Sequence, residues 1–569
     1  NVLGNERVTS LTSKLIGQIV PENVGVIGYL IDDNTDRIFL FLTTYIDNSS
    51  ESLTHPQIPA TAPATDSFSG IVCYDLVIDT LSLLVKGTFL NFSKNSIITG
   101  INILENLLFW TDNRNQPRKL NIAKALDNPD YYYNEDQISV AKYYPYLAPR
   151  LWANEDCSGQ IIPQPQMKNK SSETNPWNYG QSKYIDPTAN PPIPTNPNPT
   201  YDPEFPGDSA FLEDKFVRFS YRFKYEDDEY SIIAPFTQPA FIPKQDGYFA
   251  LNLDETYTQG DGIKSIQEDD TYKSTIVSFM ENKVDSINIY IDLPCKANEL
   301  AEKFLISSIE ILYKEADSLA VKVLKKIKVT DPLLQSAAND EFISWEYQSA
   351  KPIQTLPEAE TTRVFDRVPV RALSQEIVGN RVIYGNYTTS YPWPKELFYK
   401  VGVSEKNITN TSIGNVSRVE YPNHTLKQNR NYQVGIVLAD RFGRQSPVIL
   451  TPPKVVEETI AGVKYKDSTI YHPYKPQDST AEDILFWTGD SIKLLFKGTI
   501  DVPASPLNQG LYQKDINPLG WYSYKIVVKQ QEQDYYNVYV PGILDGYLEY
   551  TPDSVINTIA HSVLISDNV

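Results

Sequence analysis

The chain of 569 residues carries 71 Asp and Glu against 51 Lys and Arg, which gives a formal net charge of -20 at pH 7. Such a surface repels phosphate, so the composition excludes a protein that grips nucleic acid through non-specific charge. The 38 Tyr, 22 Phe and 40 Pro against 2 Met favour a β-rich protein with many turns over a helical bundle. At this length we expect several domains, each with its own core.

Cysteine usage and hydropathy limit the class further. Cys73, Cys157 and Cys295 are far apart and odd in number, so they predict buried or free thiols and neither a disulfide framework nor a metal site. No apolar run approaches the about 18 residues of a membrane-spanning helix, and no signal-peptide pattern is found. Because Asn1 replaces the usual Met and a strand pattern follows soon afterwards, we expect a cleavage or truncation boundary there.

Residues 1–126 alternate between short apolar runs and polar turns. Runs at 24–31 and 37–45 flank the segment Asp32 to Asp36 and predict a hairpin with a polar tip. Further strands are expected at 70–75, 82–85, 101–104, 107–113 and 117–121. The apolar strand that ends in Trp110-Thr111-Asp112 resembles a β-propeller blade, and residues 484–490 repeat its pattern weakly. We therefore expect a β domain with propeller-like blades at 1–126.

The composition changes between residues 127 and 212, where prolines are interspersed with Asn, Thr and Ser. Two aromatic runs, Tyr131-Tyr132-Tyr133 and Tyr143-Tyr144, precede the prolines at 191–199. A disordered linker would carry fewer aromatics, so we predict an irregular Pro/Asn/Tyr-rich insertion that packs through its tyrosines. Because proline cannot continue a sheet, we also expect this insertion to be an interaction arm more than a fold element.

A long hairpin is predicted next. Residues 216–225 alternate aromatic with basic or polar side chains, turn at Glu226 to Glu229 and return over 230–235. One aromatic and one polar face predict a half-buried antiparallel pair. The pattern resembles the strands of immunoglobulin- or fibronectin-type sandwiches, so an antiparallel β-sandwich-like domain is expected at 213–350.

The segment 299–328 is compatible with two structures. Its Leu, Lys, Ala and Glu content suits one long amphipathic helix. The runs 309–314 and 321–325, however, alternate around Asp317-Ser318, which favours a hairpin. We prefer the hairpin, preceded by a short helix near 298–304, with a further strand at 287–292.

Residues 431–569 are expected to hold further sandwich-like hairpins and a C-terminal β region. Residues 432–439 run to a turn at Asp440 to Arg444 and return over 446–450, as in the first hairpin. Residues 521–530 and 535–542 form another predicted pair of strands.

The stretch 363–387 is the most informative part of the chain. Its first half places charge beside apolar residues and Pro369, as at the entry to a strand, and its second half is a Val/Ile/Tyr strand bracketed by Gly-Asn pairs that favour turns. Its arginines can pair bidentately with carboxylates, within the chain or between subunits: Arg363, Arg367, Arg371 and Arg381. We assign 351–430 to a strand-rich segment associated with the propeller-like domain.

Residue types with catalytic chemistry are sparse. The four histidines lie in loop-like sequence, where we expect surface positions: His55, His424, His472 and His561. Their spacing fits neither a nucleophile site nor a zinc protease, and no GxSxG, P-loop, GxGxxG or HExxH motif occurs. We therefore predict no catalytic, cofactor-binding or metal-ligating residue.

Two acidic clusters leave alternatives open. Asp32 to Asp36 offers oxygen ligands at alternate positions but lacks the Gly and distal Glu of a calcium loop, so a solvated tip is preferred. A glycosidase pair would have to come from the acids of 254–270, which are more often simply solvated: Asp254, Glu255, Asp261, Glu268, Asp269 and Asp270. The tyrosine runs, including Tyr535-Tyr536, could stack on glycans or bases, although packing explains them with fewer assumptions.

Four segments together resemble tail nozzle proteins of short-tailed phages, most closely the muzzle proteins of crAss-like bacteriophages: 216–235, 363–394, 432–450 and 521–542. The resemblance implies a virion structural subunit in a homo-oligomeric ring that ends the tail tube and contacts the tail hub and ring proteins. Such a ring retains the genome and conducts DNA on ejection. An acidic chain suits a tube through which DNA slides without specific binding.

The expected fold class is all-β, mainly β with minor helix, and combines a β-propeller-like domain with immunoglobulin- or fibronectin-like sandwiches. The alternative function is a tail-associated glycan-binding or polysaccharide-depolymerising β protein. That protein would use the acidic loop at 254–270 and the exposed tyrosines.

Overall fold

The computed structural model describes the part of the chain given by these ranges: 21, 23–47, 67–151, 167–169, 184–186, 193–197, 212, 215–237, 239–240, 257–259, 262–264, 284–347, 350–363, 365–379, 381–405, 426–452, 456–473, 490–496, 511–512 and 520–531. The fold is mainly β, built from several antiparallel sheets, which confirms the expected all-β class at that level. No helix within these ranges is long and apolar enough to cross a membrane.

The first seven strands form an N-terminal unit with two helices, α1 (Ile122–Asp127) and α2 (Glu135–Ile138), and the 3-10 helix Thr88–Leu90. Its strands are β1 (Gly25–Asp32), β2 (Arg37–Thr43), β3 (Ser69–Asp75), β4 (Thr80–Lys86), β5 (Gly100–Leu104), β6 (Leu107–Thr111) and β7 (Arg118–Asn121). Strands β1 to β4 make a four-stranded antiparallel sheet in sequence order, here called the meander, and β5 to β7 make a three-stranded sheet. The predicted hairpin around Asp32 to Asp36 and the strands that follow it are thus confirmed.

Sheet β5–β7 packs on the meander through one face. Phe41 of the meander contacts Trp110 of β6, with ring centroids 5.6 Å apart, and also contacts Phe92. The alternation of apolar side chains along β2 and β6 directs these rings into one core. The opposite face of the sheet starts at Gly100, where a Cβ would lie 2.6 Å from the backbone nitrogen of Gln375. Only glycine fits at this close approach.

The first two-sheet unit follows. Its strands are β8 (Met167–Asn169), β11 (Val217–Tyr225), β14 (Val284–Asp292), β15 (Ile306–Glu315), β16 (Lys322–Lys328), β17 (Phe342–Tyr347) and β18 (Gln354–Thr355). Sheets β11-β15-β16-β18 and β17-β14-β8 pack around one apolar cluster. Short elements accompany them: the strand pairs β9 (Tyr184–Asp186) with β10 (Ile193–Pro197) and β12 (Tyr257–Gln259) with β13 (Gly262–Lys264), the 3-10 helix Ala297–Glu299, and α3 (Leu300–Phe304), α4 (Pro332–Ser336) and α5 (Glu358–Thr361).

A two-stranded hairpin of β19 (Arg371–Val378) and β20 (Arg381–Thr388) leads to the second two-sheet unit. That unit contains β21 (Tyr399–Glu405), β22 (Arg430–Asp440), β23 (Glu458–Ile460), β24 (Val463–Lys466), β25 (Thr469–His472), β26 (Asp490–Phe496) and β27 (Trp521–Gln531). Sheets β23-β24-β21-β26 and β25-β22-β27 enclose a third core, which includes Tyr399, Val434 and Trp521. Strand β27 confirms the first leg of the last predicted hairpin, whereas residues 532–542 lie outside the described part of the chain.

The choice of a hairpin within 299–328 is confirmed. Strands β15 and β16 pair in antiparallel register, for example Ile309 with Ile327, after the short helix α3. The alternation along both strands outweighed the helix-forming composition because the apolar positions of two strands complete a shared core.

The two long hairpins share a local device. In the first, the Phe223 amide donates to the Ser231 hydroxyl at 3.0 Å, and in the second the Leu438 amide donates to the Ser446 hydroxyl at 2.9 Å. In both, a serine side chain at the start of the return leg replaces a backbone carbonyl. The predicted similarity of the two hairpins is confirmed at this level.

Strand β11 differs from the prediction of one buried and one solvated face. Ser220 and Arg222, on the polar side of the strand, are as buried as Phe219 and Tyr221 on the aromatic side. The return leg and residues near 360 cover the polar side, so this strand is enclosed on both faces.

Residues 128–151 of the expected insertion belong to the core, which corrects the interaction-arm prediction for this part. Tyr132 and Tyr144 are almost fully buried, and the Tyr132 hydroxyl accepts a hydrogen bond from the Asn121 amide. Packing through tyrosines is thus confirmed. Strand β8 also pairs with β14, so proline-rich surroundings did not prevent an edge strand. Most of 152–212 lies outside the described residues.

The thiols of Cys73 and Cys295 are free and buried, as predicted, and burial raises the pKa of each to about 11. Cys157 lies outside the described residues. Thiols that stay protonated at neutral pH are poor nucleophiles, so both behave as small core side chains.

The N-terminal core should depend on Phe41, which is fully buried. We expect Phe41→Ala to lower the free energy of unfolding by about 3–5 kcal/mol, because the removed ring leaves a cavity between Phe92 and Trp110. Phe398→Ala, which removes an exposed ring, is the matched control and should cost about 0.5 kcal/mol or less. Urea unfolding followed by tryptophan fluorescence measures both, and equal losses would contradict the assignment of this core.

Candidate functional site

The three units meet at a cluster of ionised side chains, here called the charged junction. It comprises residues 112–119, helix α2, Lys142, the hairpin tips 226–229 and 440–444, Arg363 and the segment 365–370. The tip 226–229 is acidic and the tip 440–444 carries two arginines. Each tip extends from a two-sheet unit to the N-terminal unit, so local strand pairing places opposite charges against each other.

The basic tip is held by helix α2. Arg441 donates from both terminal nitrogens to the two carboxylate oxygens of Asp136, at 2.9 and 2.6 Å. Helix α2 is fixed by a capping box between Asn134 and Gln137, so the carboxylate is presented from a rigid support. Burial raises the pKa of Asp136, and the Arg441 guanidinium opposes that shift. A bidentate pair of this kind sets orientation as well as distance.

Arg444 links three segments from one buried position. Its Nε lies 2.6 Å from Asp440, its Nη1 donates to the Pro369 carbonyl, and its Nη2 donates to the Gln116 side chain. Asp440 also accepts hydrogen bonds from the amides of Phe442 and Arg444 itself. The guanidinium and carboxylate are both almost fully buried, so removal of either would leave the other as a buried charge without its partner.

The acidic tip binds lysines of the N-terminal unit. The Lys119 ammonium, itself buried, lies 2.8 Å from Glu229 and 3.2 Å from Asp227. Burial alone would raise the pKa of Asp227, but the lysines around it outweigh burial and lower the pKa. Glu226 pairs with Lys124 and accepts a hydrogen bond from the Tyr131 hydroxyl. The two tips therefore dock through opposite patterns of charge.

Lys142 is a buried lysine of the junction. Its ammonium lies 5.6 Å from the ring centroid of Tyr225. Its pKa is lowered to about 8, chiefly by burial and also by Lys119, while carboxylates on two elements oppose the shift: Glu229 and Asp227 of the acidic tip, and Asp136 of helix α2. Lys142 is thus a group of the junction whose charge changes just above neutral pH.

A second buried ion pair lies in the first two-sheet unit. Arg222 of β11 pairs with Glu310 of β15 at 2.8 Å and with Glu360 of α5, while its guanidinium lies 3.8 Å from the ring centroid of Tyr230. Lys326 reaches the other Glu310 oxygen at 3.1 Å. This chain of charges ties the return leg and α5 to the sheet.

The four arginines of the central stretch have different environments. Arg363 pairs with Asp366 at 3.1 Å and donates to the Tyr230 carbonyl, which places it at the junction. Arg371 donates to the Thr388 hydroxyl across the β19–β20 hairpin, and Arg367 lies over the Phe365 ring. Arg381 is exposed at the hairpin end. Intrachain pairing with a carboxylate thus holds for Arg363, and an intersubunit role stays a prediction.

His472 corrects the expectation of surface histidines. It ends strand β25, is almost fully buried, and its Nε2 lies 2.8 Å from the equally buried Asp490. The Thr-Ile-Tyr-His run, which precedes a proline, was part of a strand that pairs with β22. His55, His424 and His561 lie outside the described residues.

Of the two acidic clusters, the structure describes the one at Asp32 to Asp36 and not the acids of 254–270. Asp32 uses its carboxylate within the turn, where it accepts hydrogen bonds from the Asn34 amide and the Thr35 hydroxyl. No set of three or more His, Cys, Asp or Glu in the described ranges is arranged to hold a metal ion. The acids of 254–270 and Tyr535-Tyr536 lie outside those ranges, so a glycosidase pair stays untested.

The side chains of the junction fix the positions of the units relative to each other. Hydrogen bonds and opposite charges fix the hairpin tips in one orientation on the N-terminal unit, and buried pairs of this type discriminate against other arrangements. Comparison of the chain with protein-family models and with curated proteins finds no match.

Sequence reasoning interpreted both hairpin tips simply as turns and missed the junction. The available signal was the opposite charge of two otherwise similar tips, 226–229 and 440–444. A second signal was Arg222, which lies between Tyr221 and Phe223 in the middle of a long strand. Neither pattern identifies its partner, because Arg441 and Asp136 are 305 positions apart.

We expect Arg444→Met to lower the free energy of unfolding by about 3–5 kcal/mol, because Asp440 would keep a buried charge without its partner. Lys466→Met, which breaks an exposed pair with Glu457, is the control and should cost about 1 kcal/mol or less. The double variant Asp440→Asn with Arg444→Met should recover part of the loss. Chemical denaturation measures all three, and equal losses in Arg444→Met and Lys466→Met would contradict a buried ionic link.

Lys142 should make stability pH-dependent above neutrality. Its folded pKa of about 8 lies below the ordinary value of 10.5, so the unfolded chain holds more protons between these pH values. The Lys142 contribution to stability therefore increases as the pH rises through this window. Lys142→Met should remove this rise, and Lys395→Met, at an exposed position, is the control. Thermal unfolding from pH 7 to 10 measures the slope, and an unchanged slope in Lys142→Met would contradict the assignment.

Proposed function

We propose that this chain is a virion structural subunit of a phage tail nozzle, of the muzzle type that ends the tail of crAss-like bacteriophages. In this proposal, copies form a homo-oligomeric ring that closes the distal tail tube, retains the genome and conducts DNA on ejection. The support from sequence is the resemblance of 216–235, 363–394, 432–450 and 521–542 to such proteins. Parts of the first three segments meet in the charged junction.

The observation that carries the proposal is the junction itself. Arg444 connects the second two-sheet unit to Pro369 and Gln116, and Lys119 connects the N-terminal unit to the tip of the first. Buried ion pairs of this kind separate only at a large cost in free energy, because each charge would be left without a partner. A subunit of a tube under internal pressure needs units that keep their relative positions, and the junction supplies that.

The finer architecture is part of the proposal. The meander and sheet β5–β7 would be blades of a propeller-like domain, because consecutive antiparallel sheets packed face to face are the repeating element of a propeller. The two-sheet units would be immunoglobulin- or fibronectin-like sandwiches, which is supported by sheets of four and three strands around one core in each.

The proposed partners are further copies of this chain and the tail hub and ring proteins. No cofactor and no enzymatic activity form part of the proposal. DNA would pass through the lumen without specific binding, which is supported by the net charge of -20. A ring multiplies any exposed lysine by its symmetry, so an acidic lumen would prevent the DNA from stalling.

Cryo-electron microscopy of purified phage particles, combined with peptide mass mapping of their proteins, tests this function. We expect the chain to be present in the particles and located in a ring at the tail end. Its absence from the particles, or a location in the capsid, would overturn the proposal.

We expect the purified protein to show negligible affinity for double-stranded DNA at about 0.15 M salt, where electrostatic repulsion extends over about 8 Å. A mobility-shift assay measures this, with a basic DNA-binding protein as the positive control. Submicromolar binding that weakens with salt would contradict an inert lumen and would indicate nucleic-acid binding.

A further inference from the structure

The turn between β3 and β4 presents three consecutive apolar side chains to the solvent. Leu76, Val77 and Ile78 are 42%, 73% and 65% exposed. Turns are normally built from Gly, Pro, Asn, Asp and Ser, and the neighbouring turn of the same sheet, residues 32–36, is entirely polar. A run of exposed apolar residues adds nothing to the core, so it indicates a contact outside the chain. Residues 76–78 are here called the apolar turn.

The residues that flank the apolar turn fix its backbone. The Asp75 carboxylate accepts hydrogen bonds from the amides of Val77 and Ile78, at 3.0 and 3.2 Å. The Tyr74 hydroxyl donates to the Asp79 carboxylate at 2.5 Å, and Asp79 ends the turn at a positive φ. Because the turn is ordered in the free chain, a partner would bind it without the entropic cost of ordering a loop.

The surroundings of the apolar turn are acidic. The Leu76 amide donates to the Asp36 carbonyl, so the polar turn 32–36 lies directly beside the apolar one. Residues 32–37 and 75–79 contain five aspartates and one arginine, Arg37, which pairs with Asp75 at 3.2 Å. The apolar side chains are therefore bordered by net negative charge.

This border argues against two kinds of occupant. Membrane surfaces are anionic and favour segments rich in Lys and Arg, so they would repel these aspartates. A second copy of the chain also fits poorly. In its described part, a cavity of about 480 Å³ exposes Val448 and Leu450 but is lined by Glu396 and Asp467 besides Lys395, and those carboxylates would repel the acidic border.

We propose that the apolar turn docks into a pocket of a different protein, one that is apolar inside and bordered by lysine and arginine side chains. Val77 and Ile78 supply the buried contact, and the aspartates of the two turns pair with the basic border. The inference rests on the proposed function, because it takes the partner to be another protein of the phage tail. It assigns this end of the meander as the contact with that protein.

Cross-linking of purified phage particles with a carbodiimide tests this contact. The reagent activates a carboxylate, which then forms an amide bond with a lysine amine in direct contact with it. Peptide mass mapping identifies the lysines that are joined to residues 32–36 and 75–79. The matched control is Asp317, an exposed aspartate in the turn between β15 and β16.

We expect these aspartates to be joined to lysines of a different virion protein, and Asp317 to give no such product. The yield should decrease when the reaction contains about 0.5 M salt, because salt screens the pairing of opposite charges.

The apolar part of the contact is measured on the purified full chain with the virion protein that the cross-links identify. The variant with Val77→Ser and Ile78→Ser should bind that protein about tenfold more weakly or worse, because two buried side chains are lost. Leu319→Ser, at a position that is 91% exposed, is the control and should change the affinity by less than about twofold. All three positions are exposed, so thermal unfolding should not change.

Several results would overturn the contact. These are cross-links only to another copy of this chain, equal yields at Asp317, and an unchanged affinity in the serine variant. Flotation with vesicles of phosphatidylethanolamine and phosphatidylglycerol is a further measurement, and vesicle binding that the serine variant abolishes would assign the turn to a membrane instead. A chain that is present in the particles but gives one of these results loses only this contact, whereas a chain absent from the particles loses the proposed function.

Discussion

A buried charge must have a partner, and the arrangement of this protein depends on that constraint. Arg444 and Asp440 are both almost fully buried at the tip of a long hairpin, so the tip is stable only where Pro369 and Gln116 satisfy the remaining guanidinium donors. Two packed apolar surfaces can shift against each other by the width of a side chain or two, because their contacts have no fixed direction. A guanidinium fork does not, because its donors must meet acceptors in fixed directions. The junction therefore sets orientation, while the three apolar cores supply most of the stability.

The same constraint explains the opposite charge of two hairpins that are otherwise alike. Both begin their return legs with a serine that accepts an amide hydrogen bond, and both extend a tip to the N-terminal unit. If the tips carried the same charge, either could dock at either place. Glu229 requires Lys119 and Arg441 requires Asp136, so each hairpin has one site.

The sequence predicted much of the fold and little of the site. Alternation with period two located β1, β2, β15 and β16, because each of these strands has residues of one face in a core and strand patterns are local. It misjudged β11, since Arg222 is covered by the return leg and also by α5, whose Glu360 lies 138 positions away in the sequence. It also misjudged His472, whose partner Asp490 lies on another sheet. Polar residues were interpreted as exposed by default, and only tertiary structure shows which ones are enclosed and paired.

The central stretch 363–387, which was the most informative part of the sequence, makes close backbone contacts with two other units. Its backbone is used at close range: the Pro369 carbonyl accepts from Arg444, the Asp366 amide donates to the Gly443 carbonyl, and Gln375 lies against Gly100 where no Cβ fits. These contacts tie the central stretch to the N-terminal unit and to the second two-sheet unit. A stretch that holds units together in this way fits the structural role proposed above.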